Sequence, residues 1–123
     1  MSKQPEYNQF CWNELVTSDV AAAKEFYSKL HGWTYQDHDM NGMTYTMAKS
    51  GDKEICGMML LPDQSVSPHW RSYISVENLD ATILKAQNIG ATIIVPAMQV
   101  GNMGHLAIVV DPTGAHIAFW QKI

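Results

Sequence analysis

The same order of predicted elements occurs in both halves of the chain, and this repeat limits the possible folds more than any other feature. In each half an apolar strand leads into a capped helix that ends at glycine, and three more strand candidates follow. When the halves are aligned, Val20 pairs with Leu79 and Gly32 with Gly90, and, with small gaps, Cys56 with Ala118. Such a repeat sets the architecture before single elements are considered. The sequence therefore predicts an α+β fold made of two tandem βαβββ modules.

The first module is expected at about residues 8–61. Its helix is predicted from Val20, because Thr17-Ser18-Asp19 supplies N-cap side chains and His31-Gly32 ends it with a C-cap glycine. The apolar positions of this helix share one face, as amphipathic helices require: Val20, Ala23, Tyr27 and Leu30. The strand candidates are residues 10–16, 33–36, 44–48 and 55–61, with turn signals at Asn41-Gly42 and at residues 50–52.

A polar linker, residues 62–68, precedes the second module, which is expected at about residues 69–123 of the single domain. Glu77-Asn78 can cap its helix, which Gly90 ends. The predicted inner face of this helix consists of Leu79, Ile83, Ala86 and Ile89. The strand candidates are residues 70–76, 91–95, 105–110 and 115–121, with turns at Gly101-Asn102 and at residues 111–114.

Composition excludes several classes of protein. The 123 residues are 46% hydrophobic and 16% charged, which is typical of a globular domain. The net charge of −4 gives no basic face for nucleic acid. Cys11 and Cys56 form no disulfide framework, and no apolar run has the length of a membrane span. We therefore expect a cytoplasmic protein whose partners include neither nucleic acid nor a membrane.

Strand alternation predicts which side chains face a cavity. The apolar residues assigned to the helix side of the strands are Leu15, Ile74, Val76, Ile117 and Phe119. Because successive strand residues point to opposite faces, their neighbours should face the cavity. The same alternation is applied to the fourth strand, where the alternative is a bulge at Gly57. The predicted ligand-binding residues are Trp12, Glu14, Cys56, Met58, Arg71, Tyr73, His116, Ala118 and Trp120. Aromatic walls with a few convergent polar groups are typical of small-molecule pockets; the alternative is that Glu14 and Arg71 simply form an ion pair.

Several motifs resemble a known family. Residues 10–15 (FCWNEL), Ser18-Asp19-Val20, Phe26-Tyr27 and Gly32-Trp33 resemble the first module of the vicinal oxygen chelate superfamily, the glyoxalase, bleomycin-resistance and extradiol-dioxygenase group. Residues 111–117 (DPTGAHI) resemble its terminal hairpin. The resemblance covers about residues 10–120 and is greatest to a bacterial glyoxalase-related subgroup. It implies an incomplete barrel around a cavity, usually completed or supported by dimerisation, so we expect a homodimer.

The resemblance also implies where a metal would bind. In the metal enzymes of the family, each module supplies one ligand from its first strand and one from its last. Here these positions hold Trp12, Cys56 (or a neighbour on its face), Arg71 and Ala118. Tryptophan, alanine and arginine cannot ligate, and one thiol is short of the roughly three protein ligands that a divalent metal needs. We therefore expect no metal and no cofactor. A relocated site would draw on Glu14, His69, His105 and His116, which show no recognised ligand spacing.

Three hypotheses follow. The first is metal-independent binding of a small molecule, as in the antibiotic-sequestering members of the family, with tryptophan surface available for stacking. The second is a metal-free lyase or isomerase related to lactoylglutathione lyase, in which Glu14 is the general base, His116 the acid and Arg71 the anion-holding group. The third is an accessory module whose fold serves dimerisation.

Overall fold

A computed structural model describes residues 6–40, 42–63 and 65–123. Asn41 of the predicted Asn41-Gly42 turn and Gln64 of the predicted linker lie outside the described residues. The α+β class and the repeated βαβββ order are confirmed. The elements are β1 (Phe10–Thr17), α1 (Val20–His31), β2 (Thr34–Met40), β3 (Met43–Ser50), β4 (Lys53–Leu60), β5 (His69–Ser75), α2 (Leu79–Asn88), β6 (Thr92–Val100), β7 (Gly104–Val110) and β8 (His116–Lys122).

The described residues form two compact units. The first unit is Trp12–Arg71, and the second joins the segment that ends at Cys11 to Ser72–Ile123. That early segment belongs to the second unit because the Asn8 amide donates to the Ser75 carbonyl at 2.6 Å and the Ser75 amide donates to the Gln9 carbonyl at 2.8 Å. The module boundaries predicted from the sequence, at residues 61 and 69, stay a prediction.

In the first unit the strand order is β2-β3-β4-β1. β2 and β3 are antiparallel, as are β3 and β4, whereas β1 is parallel to β4. A parallel neighbour requires a crossover, and α1 is part of the chain that provides it. Tyr35 of β2 donates a hydrogen bond of 2.8 Å to the carbonyl oxygen of Lys24, which ties α1 to the sheet.

The second unit has the strand order β5-β8-β7-β6, with β5 parallel to β8 and the other neighbours antiparallel. Its buried core lies between α2 and the sheet. Val76, Leu79 and Ala107 are between 0% and 3% exposed. The partly buried hydrophobic residues packed on them are Ile74, Ile83 and Phe119.

Both helices start where the sequence predicts, and α1 also ends as predicted, whereas α2 ends at Asn88, before the predicted Gly90. The Asp19 carboxylate accepts from the Ala22 amide at 2.9 Å, and the Asn78 side chain accepts from the Ala81 amide at 3.0 Å. α1 ends at Gly32, whose φ of 72° is the left-handed C-cap conformation that glycine adopts without cost.

Both helices bury fewer residues than their apolar patterns predict. Leu30 is 58% exposed and Ile89 is 69% exposed, so their placement on buried helix faces is wrong. Each lies at or just beyond the last turn of its helix, and α2 ends at Asn88, with Ile89 as its C-cap. The longer of the two helices has 12 residues, and no helix in the described parts of the chain is long and apolar enough to cross a membrane.

Candidate functional site

The register of β1, β3 and β4 decides which side chains share a face in the first unit. Directly paired residues on neighbouring strands point to the same side. Glu14 pairs with Gly57 and Val16 with Met59, whereas Leu15 pairs with Met58. We call the first of these sides the Glu14 face, which consists of Trp12, Glu14, Val16, Gly57 and Met59. We call the other the α1 face, which includes Leu15, Ala48, Cys56 and Met58.

The prediction that Cys56 and Met58 share a face with Glu14 is therefore wrong. Cys56 pairs with Ala48, and both it and Met58 are buried on the α1 face. The strand irregularity is also not at Gly57. Ala48 pairs with Cys56 and Lys49 with Glu54, so Ile55 is the extra residue of β4. An extra residue shifts the alternation of side chains on one side of it. Because β4 is apolar on both faces, the sequence pattern alone could not show which of its side chains point to which face of the sheet.

On the Glu14 face, Arg71 and Glu14 form a buried ion pair. The Arg71 guanidinium donates to Oε2 of Glu14 from Nη2 at 2.6 Å and from Nε at 3.1 Å. The side chains are 15% and 5% exposed, respectively. Arg71 Nη2 also lies 3.8 Å from the thioether sulfur of Met59. An ion pair of this geometry holds a cation and a carboxylate at a set position, since charge-assisted hydrogen bonds are the strong ones.

Trp12 lies next to this ion pair on the same face, and its indole is held by a residue that the sequence did not single out. The Trp12 Nε1–H donates to the hydroxyl of Tyr45 at 2.9 Å. That hydroxyl occupies the space above Gly57, where a Cβ would overlap it. The available signal was Gly57 itself, because a glycine inside a strand often marks the close approach of another group.

The residues on this face do not fit the divalent metal that the family resemblance implies. Trp12 and Arg71 occupy the first-strand positions, and the β4 residues that face Glu14 are Gly57 and Met59 rather than Cys56. The one carboxylate, from Glu14, accepts two hydrogen bonds from a cation. Within residues 6–40, 42–63 and 65–123 no three His, Cys, Asp or Glu side chains are grouped so that they could hold a metal ion.

In the second unit, the other predicted ligand-binding residues share one face of the sheet. Tyr73 pairs with Ala118 and Ser75 with Trp120, while Ile74 and Phe119 point to the opposite side. The rings of Tyr73 and Trp120 meet edge to face with centroids 6.5 Å apart. Ala118 is completely buried.

The two predicted catalytic residues belong to different units. Glu14 is buried in the first unit, and His116 is exposed at the start of β8 in the second. His105, one of the candidates for a relocated metal site, pairs with Gln121 and so lies on the Phe119 side of the sheet rather than with His116. The roles assigned to Glu14 and His116 remain predictions.

The thiol of Cys56 is not an activated nucleophile. Burial raises the pKa of Cys56 from 9.0 to about 11. Because the thiolate is the reactive species, a thiol with so high a pKa is almost wholly protonated at neutral pH. Burial also raises the pKa of the more exposed Cys11.

A family model described as the Glyoxalase/Bleomycin resistance protein/Dioxygenase superfamily matches residues 8–120. The chain therefore belongs to this superfamily, the one that the sequence motifs resemble.

Two curated relatives illustrate what the chain is similar to. It is 34% identical to "Putative glyoxylase CFP32" of Mycobacterium tuberculosis, over 98% of this chain and 49% of that protein. It is 30% identical to "Anthracycline biosynthesis protein DnrV" of Streptomyces peucetius, over 90% of this chain and 46% of that protein. The chain thus spans about half the length of the curated relatives it matches.

Solved structures of low sequence identity share the fold. The crystal structure of methylmalonyl-CoA epimerase from Mycobacterium tuberculosis matches with a TM-score of 0.66 and 15% identity, over 100% of this chain and 93% of that one. An extradiol ring-cleaving dioxygenase from B. fuscum matches with a TM-score of 0.66 and 19% identity, over 96% of this chain and 33% of that one. At these identities the likeness concerns the fold alone.

Proposed function

We propose that this protein binds a small molecule without a metal, on the Glu14 face of the first unit. The observation that carries the proposal is the ion pair of Arg71 with Glu14 at 2.6 Å, because a permanent cation stands where the resemblance implies a metal ligand. A guanidinium with planar N–H donors can bind a ligand oxygen. The Trp12 ring adds a flat apolar surface beside it.

The charges on this face restrict the ligand. Glu14 neutralises Arg71, so an anionic ligand would have to compete with a carboxylate that already accepts two hydrogen bonds. A neutral molecule with a carbonyl or hydroxyl oxygen and a flat apolar part fits better. One relative of this chain is named for anthracycline biosynthesis, which is compatible with such a role.

The remaining predicted site residues take different parts in this proposal. Tyr73, His116, Ala118 and Trp120 stay predicted ligand contacts of the second unit. Cys56 and Met58 are not proposed as contacts on the Glu14 face, because they lie on the α1 face. Tyr45 is added to the proposed site, since it holds the Trp12 indole.

A thermal-shift experiment with two arms tests the proposal. In the metal arm, chelator, Ni²⁺ and Zn²⁺ should each leave the Tm unchanged. In the ligand arm, neutral carbonyl-bearing aromatic compounds are screened, and a binder at about 100 times its Kd should stabilise the fold by about 2.7 kcal/mol. Trp12→Leu should weaken that binding at least tenfold, and Leu84→Ala, at an exposed position of α2, serves as the control. Stoichiometric retention of Ni²⁺ or Zn²⁺ with a raised Tm would contradict metal independence.

A metal-free lyase or isomerase is the second candidate. It is favoured by the 34% identical relative that is named a glyoxylase and by the buried carboxylate of Glu14 beside a guanidinium. Turnover of the hemithioacetal of methylglyoxal and glutathione that survives chelators and is lost in Glu14→Gln would support it. Turnover that appears only with added nickel or zinc would overturn both metal-free candidates.

Oligomeric state, cofactor use and cellular location remain proposals. We propose a homodimer that functions without a cofactor in the cytoplasm, because the family resemblance and the cysteine content favour those states. Sedimentation velocity over a concentration series tests the dimer. A chain that stays monomeric at high concentration would also weaken the third hypothesis, an accessory module kept for dimerisation.

A further inference from the structure

The first unit has an open cavity of about 350 Å³ that the proposed function does not use. Two indole rings and three smaller side chains line it: Asn13, Trp33, Ile55, Cys56 and Trp70. Trp70 is 43% exposed, whereas Cys56 is only 3% exposed, so the cavity reaches from solvent to a buried floor. Its volume lies at the lower end of the range, about 300–1,000 Å³, that is typical of small-molecule sites.

This cavity lies on the α1 side of the sheet, away from the Glu14 face. Asn13 stands between Trp12 and Glu14 in β1, so it points to the opposite side from both. Cys56 pairs with Ala48 on the α1 face. The extra residue in β4 explains why two successive residues, Ile55 and Cys56, line one cavity, because both residues at a bulge can point to the same side.

The two tryptophans are held in place by one tyrosine of α1. The Tyr27 ring stacks on Trp33 with centroids 5.0 Å apart and an interplanar angle of 15°. It meets Trp70 edge to face at 5.7 Å, and the Trp70 Nε1–H donates to the Tyr27 hydroxyl at 3.3 Å. The His31 ring stacks on Tyr27 at 6.4 Å and lies 5.6 Å from the Trp33 ring at an interplanar angle of 30°. Side chains that are already ordered lose little rotamer entropy when a ligand binds, which favours binding.

We infer that this cavity is a second ligand site, and that it takes a neutral, flat aromatic molecule of about two fused rings. Its walls are π-faces that favour offset or edge contacts with another ring. None of the five lining side chains carries a formal charge at neutral pH. A charged ligand would therefore lose its hydration there without gaining a counter-ion, which disfavours its binding. The inference does not rest on the proposed function.

The four tryptophans allow one experiment to tell the sites apart, because each indole N–H gives its own resonance in a nitrogen–proton correlation spectrum. 2-Naphthol is titrated into the intact protein as a neutral flat probe. We expect saturable shifts of the Trp33 and Trp70 indole resonances. Trp33→Leu should weaken naphthol binding at least tenfold, measured on the Trp70 resonance. If that variant folds poorly, Trp70→Leu replaces it and should weaken binding equally, measured on the Trp33 resonance.

The control is Trp12→Leu, which alters the Glu14 face only and should leave naphthol affinity, measured on the Trp33 and Trp70 resonances, within twofold of wild type. Shifts confined to Trp12 or Trp120, or equal affinity in the wild type and in either folded cavity variant, would overturn the inference. So would the absence of any saturable shift up to the solubility limit of naphthol. Failure here leaves the proposed function standing, since that proposal predicts effects on the Trp12 resonance and loss of its own ligand in Trp12→Leu.

Discussion

Arg71 and Glu14 lie 57 residues apart in the sequence, and two guanidinium nitrogens of Arg71 bind the same carboxylate oxygen of Glu14. One residue comes from the first strand of each βαβββ repeat. Both side chains are largely buried, at 15% and 5% exposure. Charges in such surroundings are tolerated only as a pair, so the position at which the resemblance implies a metal ligand is already electrostatically satisfied by the protein itself.

Removing one member of this pair should destabilise the fold strongly. Glu14→Leu or Arg71→Met alone leaves one buried charge without its counter-ion, and we expect the free energy of unfolding to fall by about 3–5 kcal/mol. The double variant Glu14→Leu with Arg71→Met removes both charges and should recover most of that loss. Urea unfolding of the four proteins in the cycle measures the coupling.

The exposed pair of Lys29 and Glu25 is the matched control for that cycle. Its atoms are as close, at 2.7 Å, but the side chains are 76% and 67% exposed. Water screens such pairs, so Glu25→Gln should change the free energy of unfolding by no more than about 0.5 kcal/mol. A double variant at Glu14 and Arg71 that is as unstable as the sum of the single variants would refute the coupling.

Gly57→Ala should displace Tyr45 and break its hydrogen bond with Trp12. A methyl group at this position would overlap the Tyr45 hydroxyl, so the ring must swing away or the strands must separate. Inserting a methyl into a packed site costs about 1–3 kcal/mol. The measurement is the Trp12 indole N–H resonance together with urea unfolding.

The double variant Gly57→Ala with Tyr45→Ala should be more stable than Tyr45→Ala alone, because removing the Tyr45 side chain leaves the space above residue 57 vacant. Tyr45→Phe serves as the control. It should cost only about 1 kcal/mol, the value of one hydrogen bond. An unchanged Trp12 resonance in Gly57→Ala would show that Tyr45 does not hold the indole.

Stability should decrease between about pH 9 and pH 11 because of Cys56. Burial raises the pKa of its thiol from 9.0 to about 11, so the unfolded chain loses this proton at a lower pH than the folded chain does. The contribution of Cys56 to the free energy of unfolding is complete below pH 9 and is lost as the pH rises through the folded-state pKa. The loss is about 2–3 kcal/mol at most. Unfolding curves across this range are compared for Cys11→Ser and for Cys11→Ser with Cys56→Ala.

Only the difference between the two proteins reports Cys56. A disulfide exchange reagent at pH 8 gives a second check, because Cys11 should react in the folded wild type and Cys56 only after unfolding. Equal reaction rates of the two thiols in the folded protein would contradict the burial of Cys56.

Asp37 should titrate at an unusually low pH because of Thr46. The Thr46 hydroxyl donates to Asp37 at 2.6 Å and the Lys24 ammonium at 2.9 Å, and these bonds hold the pKa of the carboxyl below 3.8. Its contribution to stability is present above pH 3.8 and is lost as the pH falls through the lowered folded-state value. Because the Asp37 side chain is half exposed, we expect about 1 kcal/mol or less.

A carboxyl-carbon NMR titration of Thr46→Val measures this effect directly, and the pKa of Asp37 should move up towards its ordinary value. Thr44→Val, at a position of β3 that pairs with Asp39 instead, is the control and should leave the pKa of Asp37 where it was. If both variants titrate alike, Thr46 is not the main cause of the low pKa.

The elements of this fold could be predicted wherever the signal is local. Asp19 and Asn78 cap their helices as their residue types indicate, because capping needs only a side chain and an amide three residues further on. Strand bounds were predicted less well. β6 runs to Val100, five residues beyond its predicted end, and includes Pro96.

The fourth strand shows where local information ends. Residues 55–60 are apolar apart from one glycine, so both faces of β4 look alike in the sequence. Its parity is set by hydrogen bonds to β1 and β3 and by the extra residue Ile55. Tyr45 was missed for a related reason, since its role depends on Trp12, 33 residues away.

By itself the sequence determined the repeated βαβββ order, the helix caps, and the presence of Trp12 and Arg71 where the resemblance implies metal ligands, because each depends on residue type and on spacing within one segment. Only the tertiary structure decided that Glu14 takes Arg71 as its partner, that Tyr45 holds Trp12, and that Cys56 lines a cavity on the α1 side. Those outcomes depend on strand register and long-range contacts, which bring together side chains that no short stretch of sequence relates.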